Sequence, residues 1–493
     1  MKSLLCETVT GRSMAELLTA RDRATIGDLV ELRLDGVVDL DVAAALHGRS
    51  RPAVVTCRPT WEGGSFAGSE EERRGILSRA LALGAEFVDV EWRAGFDDVI
   101  GQDRTRIVLS SHDFDGIPSD LDERARRMRA VGTGVIKIAI TAGRLTDTLR
   151  LRRIAEGGRA VVIGMGEAGV PSRLLASRYG SAWTYAGHGV APGQLPASRM
   201  IEDFLFRRVG SSTRLFGIVS TNALHSFSPV MHNAALCAAG IDAVYVPLRA
   251  ADFDDFTAFA QAMDIEGASV TIPYKIDALR AAARADELTR AVGAANTIRR
   301  RGGEWEATNT DVNGFLRPLE AAFGAPLAGT RASVLGAGGA ARAVVVALSS
   351  NGVRVCVHAR RPEQAQSLAR DLGVSAGGWP PAPGSWDLLV NCTPLGGAVS
   401  RDSSPLPRDL MTGRFVYDLT YGPGESALLR DARGAGCQTL DGLPMLVAQA
   451  ERQFEWWTGQ RPIPGVMAEA ARRKSMNVER GLEPARNRDR SAL

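Results

Sequence analysis

Over about the first 208 positions, apolar residues gather into short β-branched runs, each followed by a polar turn and an amphipathic stretch, and this unit repeats eight times. The runs are Leu4 to Val9, Leu29 to Asp35, Ala53 to Arg58, Phe87 to Trp92, Ile107 to His112, Val135 to Ile140, Ala160 to Met165 and Ala182 to Gly187. Strands that alternate with helices pair in parallel, because each helix returns the chain to the same end of the sheet. Eight of them predict a small closed (β/α)8 TIM barrel.

Parity inside the runs adds chemistry. In Leu29-Val30-Glu31-Leu32-Arg33-Leu34-Asp35 the charged residues share one face and the apolar ones the other, whereas a barrel strand covered by helices should be apolar on both. Asp89 and Glu91 stand likewise against Val88 and Val90, and Lys137 stands between Ile136 and Ile138. Charges turned into a barrel cost several kcal/mol unless paired or neutralised. A cluster of them near strand C-terminal ends therefore predicts a site, with Lys137 in apolar surroundings.

The pattern changes after Arg207-Arg208. Val209-Gly210-Ser211-Ser212-Thr213 reads as a linker, and Leu215-Phe216-Gly217-Ile218-Val219 opens a mixed α/β lobe over 214–312, with a Gly302-Gly303 hairpin between Asn296 to Arg301 and Glu304 to Asn309. From Ala332 strands again alternate with helices, which predicts a Rossmann dinucleotide domain over 313–445. A helix over about 446–470 is expected to return to the mixed lobe, and residues 474–493 to form a disordered basic tail.

Composition narrows the classes. At roughly 100 to 200 residues per domain, 493 residues make two or three domains, and 45% apolar with 23% charged residues excludes disorder over most of the length. Net charge is +3, and Arg472 to Leu493 alone carries seven Lys/Arg against three Asp/Glu, so the folded body is about neutral. Neither a nucleic acid nor a membrane surface is indicated as a partner. The six cysteines show no CxxC and no zinc-spaced His, and no 18-residue apolar run or signal peptide is present. A cytoplasmic protein without a metal, acting on small molecules as a monomer or homodimer, is expected.

Ala332-Ser333-Val334-Leu335 followed by Gly336-Ala337-Gly338-Gly339-Ala340-Ala341 is G-x-G-x-x-A between a strand and a helix. Gly336 makes the turn, Gly338 admits a pyrophosphate, and Ala341 lets helix and strand pack closely. Gly336, Ala337, Gly338, Gly339 and Ala340 are thus candidate cofactor residues. The next strand ends in His358-Ala359-Arg360-Arg361 without an acid, and two guanidinium groups suit a 2′-phosphate, which favours NADP over NAD.

His225-Ser226-Phe227-Ser228-Pro229 places two hydroxyls at a helix start, and Val270-Thr271-Ile272-Pro273-Tyr274-Lys275 places a lysine in a first helical turn, where the macrodipole opposes it. With Asn296-Thr297, Thr308-Asn309-Thr310-Asp311, Asn391-Cys392-Thr393-Pro394, Tyr417-Asp418 and Asp441-Gly442-Leu443-Pro444, these blocks resemble shikimate dehydrogenase over about 214–470. The resemblance implies NADPH-dependent reduction of 3-dehydroshikimate. It also implies that Ser226 and Ser228 hold the substrate carboxylate, that Thr271, Asn296, Tyr421 and Gln449 hold its hydroxyls or ring, and that Thr393 and Gly442 join the cofactor residues. Lys275 would be the acid/base and Asp311 its orienting partner. Ser269 stands where the family usually has Asn, and Ala359-Arg360-Arg361 where it usually has Asn-Arg-Thr.

Glu31 to Asp35, Thr56-Cys57-Arg58-Pro59-Thr60-Trp61-Glu62-Gly63-Gly64, Ser111-His112-Asp113, Lys137-Ile138-Ala139 and Ala191-Pro192-Gly193-Gln194 resemble type I 3-dehydroquinate dehydratase. The resemblance implies a Schiff base on Lys137, a proton shuttle at His112 oriented by Glu62, a carboxylate site at Arg173, and hydroxyl contacts from Glu31, Arg33, Arg58 and Gln194. Arg33 with Glu31 could equally be a buried ion-pair network. Val190 replaces the Ser that usually opens the Ala-Pro-Gly-Gln loop. The whole chain thus resembles a fused lyase and oxidoreductase of the shikimate pathway. Two alternatives stand beside that reading: a quinate/shikimate dehydrogenase with a catabolic role, and a non-catalytic quinate-pathway sensor, which predicts missing catalytic lysines.

Overall fold

The structure is a computed structural model and describes residues 2–397 and 400–479. The chain clusters into two compact units, one of Met1–Arg214 with Val246–Asp264, the other of Leu215–Tyr245 with the residues from Ile265 onward.

The first unit holds eight parallel strands: β1 (Leu4–Val9), β2 (Leu29–Arg33), β3 (Ala53–Thr56), β4 (Phe87–Glu91), β5 (Ile107–Asp113), β6 (Val135–Thr141), β7 (Ala160–Met165) and β8 (Trp183–Ala186). They run in the order β7-β6-β5-β4-β3-β2-β1-β8, and a bridge between Ala160 and Ser181 joins the two edges of this near-closed barrel. The expected strands are present with ends shifted by two residues or fewer, as a period-2 pattern between polar turns permits. Inside, Cys6, Leu29, Val54, Val108, Val135 and Val161 pack as an apolar plug. Two residues further along the same faces come Thr8, Glu31, Thr56, Ser110 and Lys137, all buried. One helix matters later: Glu70–Ala82 starts with a capping box, Ser69 accepting from the Glu72 backbone N–H while the Glu72 carboxylate accepts from that of Ser69.

After the barrel strands, β9 (Arg214–Ser220), β10 (Ala243–Arg249), β11 (Ile265–Val270), β12 (Arg284–Ala285), β13 (Thr297–Arg301) and β14 (Glu304–Thr308) form a mixed sheet in the order β10-β9-β11-β13-β14-β12. Gly302 and Gly303, at φ 60° and 87°, make the β13–β14 turn that side chains rarely allow. A second sheet follows: β15 (Arg331–Leu335), β16 (Arg354–His358), β17 (Ser375–Ala376), β18 (Leu388–Asn391), β19 (Phe415–Asp418) and β20 (Gln438–Leu440). Its strands are parallel in the order β17-β16-β15-β18-β19-β20, which is the doubly wound Rossmann arrangement with its switch point beside β15.

Two expectations for the C-terminal region are corrected. The single helix over 446–470 is two helices, Leu443–Thr458 and Val466–Glu479, because Gly459 turns left-handed (φ 72°) and Pro462 and Pro464 follow. The tail expected from 474 cannot begin there: the second helix runs to Glu479, with Met467 and Ala471 packed into the lobe's core and Lys474 buried. The rest of that tail lies outside the described residues. Among the described residues no helix is long and apolar enough to cross a membrane, and no His/Cys/Asp/Glu group could hold a metal.

Candidate active sites

The barrel's charged face lines a cavity that opens to solvent at the C-terminal ends of the strands. Lys137 Nζ lies 3.0 Å from Asp89 Oδ2 and 3.6 Å from Glu31 Oε1, with the Tyr185 ring centroid 4.3 Å away. This corrects the expectation of apolar surroundings. Ile136 and Ile138 point out of the barrel by parity, and across the interior the amine meets carboxylates. Glu31 is itself held by the hydroxyls of Thr8 and Thr56, at 2.8 and 2.9 Å.

His112 ends β5 and is gripped by Glu62, whose Oε1 lies 3.1 Å from Nδ1 and accepts from the His112 backbone N–H at 3.0 Å. Burial, reinforced by the Arg58 and Lys137 charges, keeps the imidazole pKa well below its usual range, so the ring is a neutral base. Burial pushes the Glu62 carboxyl up to about 7.

Arg58 pairs with Asp89 at 2.9 Å and with Glu91 at 2.7 Å, so it serves first to hold carboxylates. Despite the cost of burial, the arginine and lysine beside Asp89 keep its carboxyl far below the ordinary carboxylate range. Arg33 pairs with Asp35 at 2.8 Å, not with Glu31; the buried network that Glu31 joins runs through Lys137 and two threonines. Arg173 is different. It is 1% exposed, makes no ion pair among the described residues, and reaches only the carbonyls of Tyr185 and Pro192 at 3.5 and 3.3 Å. Its Nε has no partner, and burial lowers its pKa to about 10. A buried cation facing a cavity without a counter-ion is a suitable place for an anion. Gln194 donates to Thr8 Oγ1 at 3.2 Å and accepts from the Ala191 N–H, and Val190 lines the cavity with its methyl groups.

The second unit builds a separate constellation. Lys275 opens the helix Lys275–Ala281, and its Nζ donates to Asp311 Oδ2 at 2.6 Å. Asn296 donates to Asp311 Oδ1 at 2.7 Å and to Gln449 Oε1 at 3.3 Å. Thr271 holds the turn leading into Lys275, its carbonyl accepting from the Tyr274 N–H. Ser226 Oγ accepts from the Ser228 N–H at 3.1 Å, and Ser228 is the first residue of the helix Ser228–Ala238, whose N-cap is Phe227. Tyr421 packs edge-on to Phe227 at 5.2 Å, which places it beside the two serines. Ser269 joins a buried network, accepting from Tyr245 at 2.6 Å and donating to Gln453 at 2.7 Å.

The glycine turn after β15 fits a dinucleotide. Gly336 has φ 105°, and a Cβ on Gly338 would meet no protein atom within 4 Å, which leaves that backbone open to a pyrophosphate. A Cβ on Gly339 would meet Lys275 Cδ at 3.0 Å, so the turn abuts the lysine, and one on Gly336 would meet Thr393 at 3.3 Å. Ala337 and Ala340 lie within the turn and the first helical residues after it. Gly442 is wedged against the Leu419 carbonyl at the end of β19, 2.2 Å from where a Cβ would sit. Arg360 and Arg361 are exposed just beyond β16, in no ion pair among the described residues.

Sequence reasoning left four polar residues without a role: Thr8 and Tyr185, which line the cavity, and the buried Asp89 and Glu91, which hold Arg58. Asp89 and Glu91 were marked by parity alone. Nothing in β1 or β8 singles out Thr8 or Tyr185 except that each faces the barrel interior.

Known proteins share this organisation. Residues 5–207 match the type I 3-dehydroquinase family, 218–298 the shikimate dehydrogenase substrate binding domain, and 442–472 the shikimate 5′-dehydrogenase C-terminal domain. The chain is 32% identical to the chloroplastic bifunctional 3-dehydroquinate dehydratase/shikimate dehydrogenase of Arabidopsis thaliana, over 93% of this chain and 82% of that protein. It is 41% identical to the NADP(+) shikimate dehydrogenase of Salinibacter ruber, over 50% of this chain and 93% of the relative. A crystal structure of shikimate dehydrogenase in complex with NADP+ superposes with a TM-score of 0.51 at 31% identity, covering 54% of this chain and 97% of that one. Matched along nearly its whole length by a fused relative, with both family domains present on one chain, the protein belongs to the bifunctional 3-dehydroquinate dehydratase/shikimate dehydrogenase family.

Proposed function

We propose that the barrel dehydrates 3-dehydroquinate through an imine on Lys137, and that the second unit reduces the product, 3-dehydroshikimate, to shikimate at Lys275 and Asp311 with NADPH. The observation that carries the first half is Lys137 and His112 lining one cavity, the amine 3.0 Å from Asp89 and the imidazole fixed by Glu62.

Once deprotonated, the Lys137 amine adds to the ketone carbon and the carbonyl oxygen leaves as water. The resulting protonated imine carries the single positive charge that the ammonium carried before it, so Asp89 and Glu31 face a cation in both states. The iminium is the electron sink. His112 removes a proton from the neighbouring carbon, the electron pair moves toward nitrogen, and the β-hydroxyl departs with the proton that His112 returns, a role worth about 10² to 10⁴ in rate. Water then releases the enone and regenerates Lys137. Arg173 receives the substrate carboxylate, and Glu31, Arg33, Arg58 and Gln194 surround the hydroxyls.

In the reductase, the chemistry that NADPH supplies is a hydride for the ketone carbon. Lys275 stabilises the developing alkoxide and gives it a proton, while Asp311, fixed by Asn296, keeps the ammonium aimed. Ser226 and Ser228 take the carboxylate, and Thr271, Asn296, Tyr421 and Gln449 the ring and hydroxyls. Gly336 to Ala340, Thr393, Gly442, Arg360 and Arg361 hold the dinucleotide.

On this reading 1–208 is the dehydratase, 209–213 the linker, 214–312 the substrate lobe and 313–445 the dinucleotide domain, in a cytosolic monomer or homodimer whose six cysteines are free thiols. Quenching a mixture of enzyme and 3-dehydroquinate with borohydride tests it. The polypeptide should gain the mass of the reduced adduct at Lys137, and Lys137→Ala should gain none and form no enone; an unaltered wild-type mass would overturn the imine.

A further inference from the structure

Arg73 lies on the helix Glu70–Ala82, outside the strands and outside the cavity, yet its side chain is completely buried. A guanidinium in that position carries a large desolvation cost and persists only where partners are fixed around it. Its partners lead in two directions. One Nη pairs with Glu91, and Glu91 also takes Arg58 at 2.7 Å; Arg58 takes Asp89 at 2.9 Å, and Asp89 takes the Lys137 amine at 3.0 Å. The other Nη pairs with Glu70 at 2.5 Å, and Glu70 accepts from the Trp61 indole N–H at 3.0 Å. Trp61 belongs to the 3-10 turn Thr60–Glu62, whose last residue holds His112. The Arg73 guanidinium also sits 4.5 Å from the Phe96 ring centroid and 5.7 Å from that of Trp61.

We infer that Arg73 is a positioning residue for the dehydratase reaction, joining the chain of alternating charges that ends at the Lys137 amine to the turn that aims the His112 base.

The physical need for such a residue is visible at Glu91. Burial and the nearby Asp89 push its carboxyl upward, so without Arg73 it would take up a proton and release Arg58. Arg58 would then recentre on Asp89 alone, and the carboxylate facing Lys137 would move. Removing Arg73 also frees Glu70 and lets Trp61 swing, which loosens Glu62. Both displacements are small, but a misplacement of about 1 Å remote from the chemistry costs about 10²-fold in rate. The positive charge thus acts at a distance through two contacts, and touches neither substrate nor reacting atom.

The inference rests on the imine reading, and the experiment separates the two. Arg73→Met keeps the stem and volume, Arg73→Lys keeps the charge without the fork, and Glu91→Gln breaks the same chain one residue later. Each is measured for kcat and KM of dehydration, for the rate of borohydride-trapped adduct, and for NADPH-dependent reduction as an internal control on the same chain. Arg73→Met should lose about 10- to 100-fold in kcat, with KM within about threefold and trapping slowed in proportion, while reduction is unchanged. Arg73→Lys should recover part of the loss. Arg73→Met with Glu91→Gln should be no slower than Arg73→Met alone, because Glu91→Gln breaks a path that Arg73→Met has already broken. Wild-type kcat in Arg73→Met, or losses that multiply in the double variant, would overturn the inference while wild-type trapping left the imine intact. Should Arg73→Met not fold, wild-type kcat in both Arg73→Lys and Glu91→Gln would overturn it equally.

Discussion

Glu62 holds His112 by one oxygen at two points, accepting from its backbone N–H at 3.0 Å and facing its Nδ1 at 3.1 Å. The double contact fixes ring and main chain together and selects the tautomer. An ionised Glu62 accepts a hydrogen bond from Nδ1–H and leaves Nε2 as the free base, whereas a protonated one would donate to Nδ1 and cost the ring that arrangement. With Glu62 pushed up to about 7 and His112 held well below its usual value, the acidic limb of dehydration follows the carboxyl. The kcat/KM for 3-dehydroquinate should therefore rise as pH passes through about 7, and Glu62→Gln should flatten that limb at a lower rate. Stability runs the other way. The folded pKa lies above the ordinary carboxylate value of 4.5, so ionising the buried group weakens the fold between those two values. A pH series of thermal melts should show Glu62→Gln gaining on the wild type from about pH 4.5 to 7, by an order of 3 kcal/mol at most.

Lys275 and Asp311 allow a test with an internal control. Asp311 is 5% exposed, and its two oxygens are occupied by Lys275 and Asn296, so Asp311→Asn removes the counter-charge and leaves the amine unaimed. Lys275→Met removes the group to which the proposed function assigns the proton. Each should lower kcat for 3-dehydroshikimate reduction by about 10² to 10⁴, with enone formation from 3-dehydroquinate at the wild-type rate. Steady-state NADPH consumption and enone absorbance on the same preparation check both at once, and loss of both activities in either variant would contradict separate sites.

How much of this was legible depended on whether a residue's partner is set by its own element. The shared face of Glu31 and Arg33 and the inward position of Lys137 follow from strand periodicity, and all three line the cavity, whereas Asp35 lies past the end of β2 and pairs with Arg33. The glycine turn was legible because its context, strand before and helix after, is local. The partners were not. Asp89 meets Lys137 across two strands of register, and Arg33 turns to Asp35 rather than Glu31, both decided by barrel geometry that no single strand encodes. Arg73 was invisible for the same reason: on its helix it reads as one of several surface arginines. The helix to Glu479 escaped because Arg472-Arg473-Lys474 looked like a solvated charge run, although Met467, Ala470 and Ala471 are buried one turn earlier.

Arg173 is the clearest case of binding energy stored as local instability. Among the described residues its buried cation has no counter-ion, and on the proposed function the carboxylate of the substrate supplies one. Arg173→Met should raise KM for 3-dehydroquinate by about 10- to 100-fold, the equivalent of about 1.5 to 3 kcal/mol for hydrogen bonds to a charged group, with a smaller change in kcat. It should not lower the melting temperature of the ligand-free enzyme, since a well-packed apolar stem replaces an uncompensated charge. Isothermal titration with a non-reacting carboxylate analogue and a melt of the same sample measure both. A fall in melting temperature with unchanged KM would make Arg173 a structural ion.

In the proposed function the preference for NADPH is assigned to Arg360 and Arg361, which stand exposed beyond β16. At this strand end an acid would favour NADH by binding the ribose hydroxyls, and it would repel a 2′-phosphate; guanidinium groups reverse both preferences. In the fold only the residue that reaches the ribose can supply the contact, and Arg360, directly after buried Ala359, is nearer the strand than Arg361, which leads into the helix Pro362–Leu372. Arg360→Ala should therefore reduce kcat/KM for NADPH by about 10- to 100-fold and leave that for NADH within about twofold, because the lost contact exists only with the phosphate. Arg361→Ala should cost less. The measurement is the ratio of kcat/KM for the two nucleotides at fixed ionic strength. A wild-type ratio near one, or a ratio that Arg360→Ala leaves unchanged, would assign the phosphate to other groups around the glycine turn.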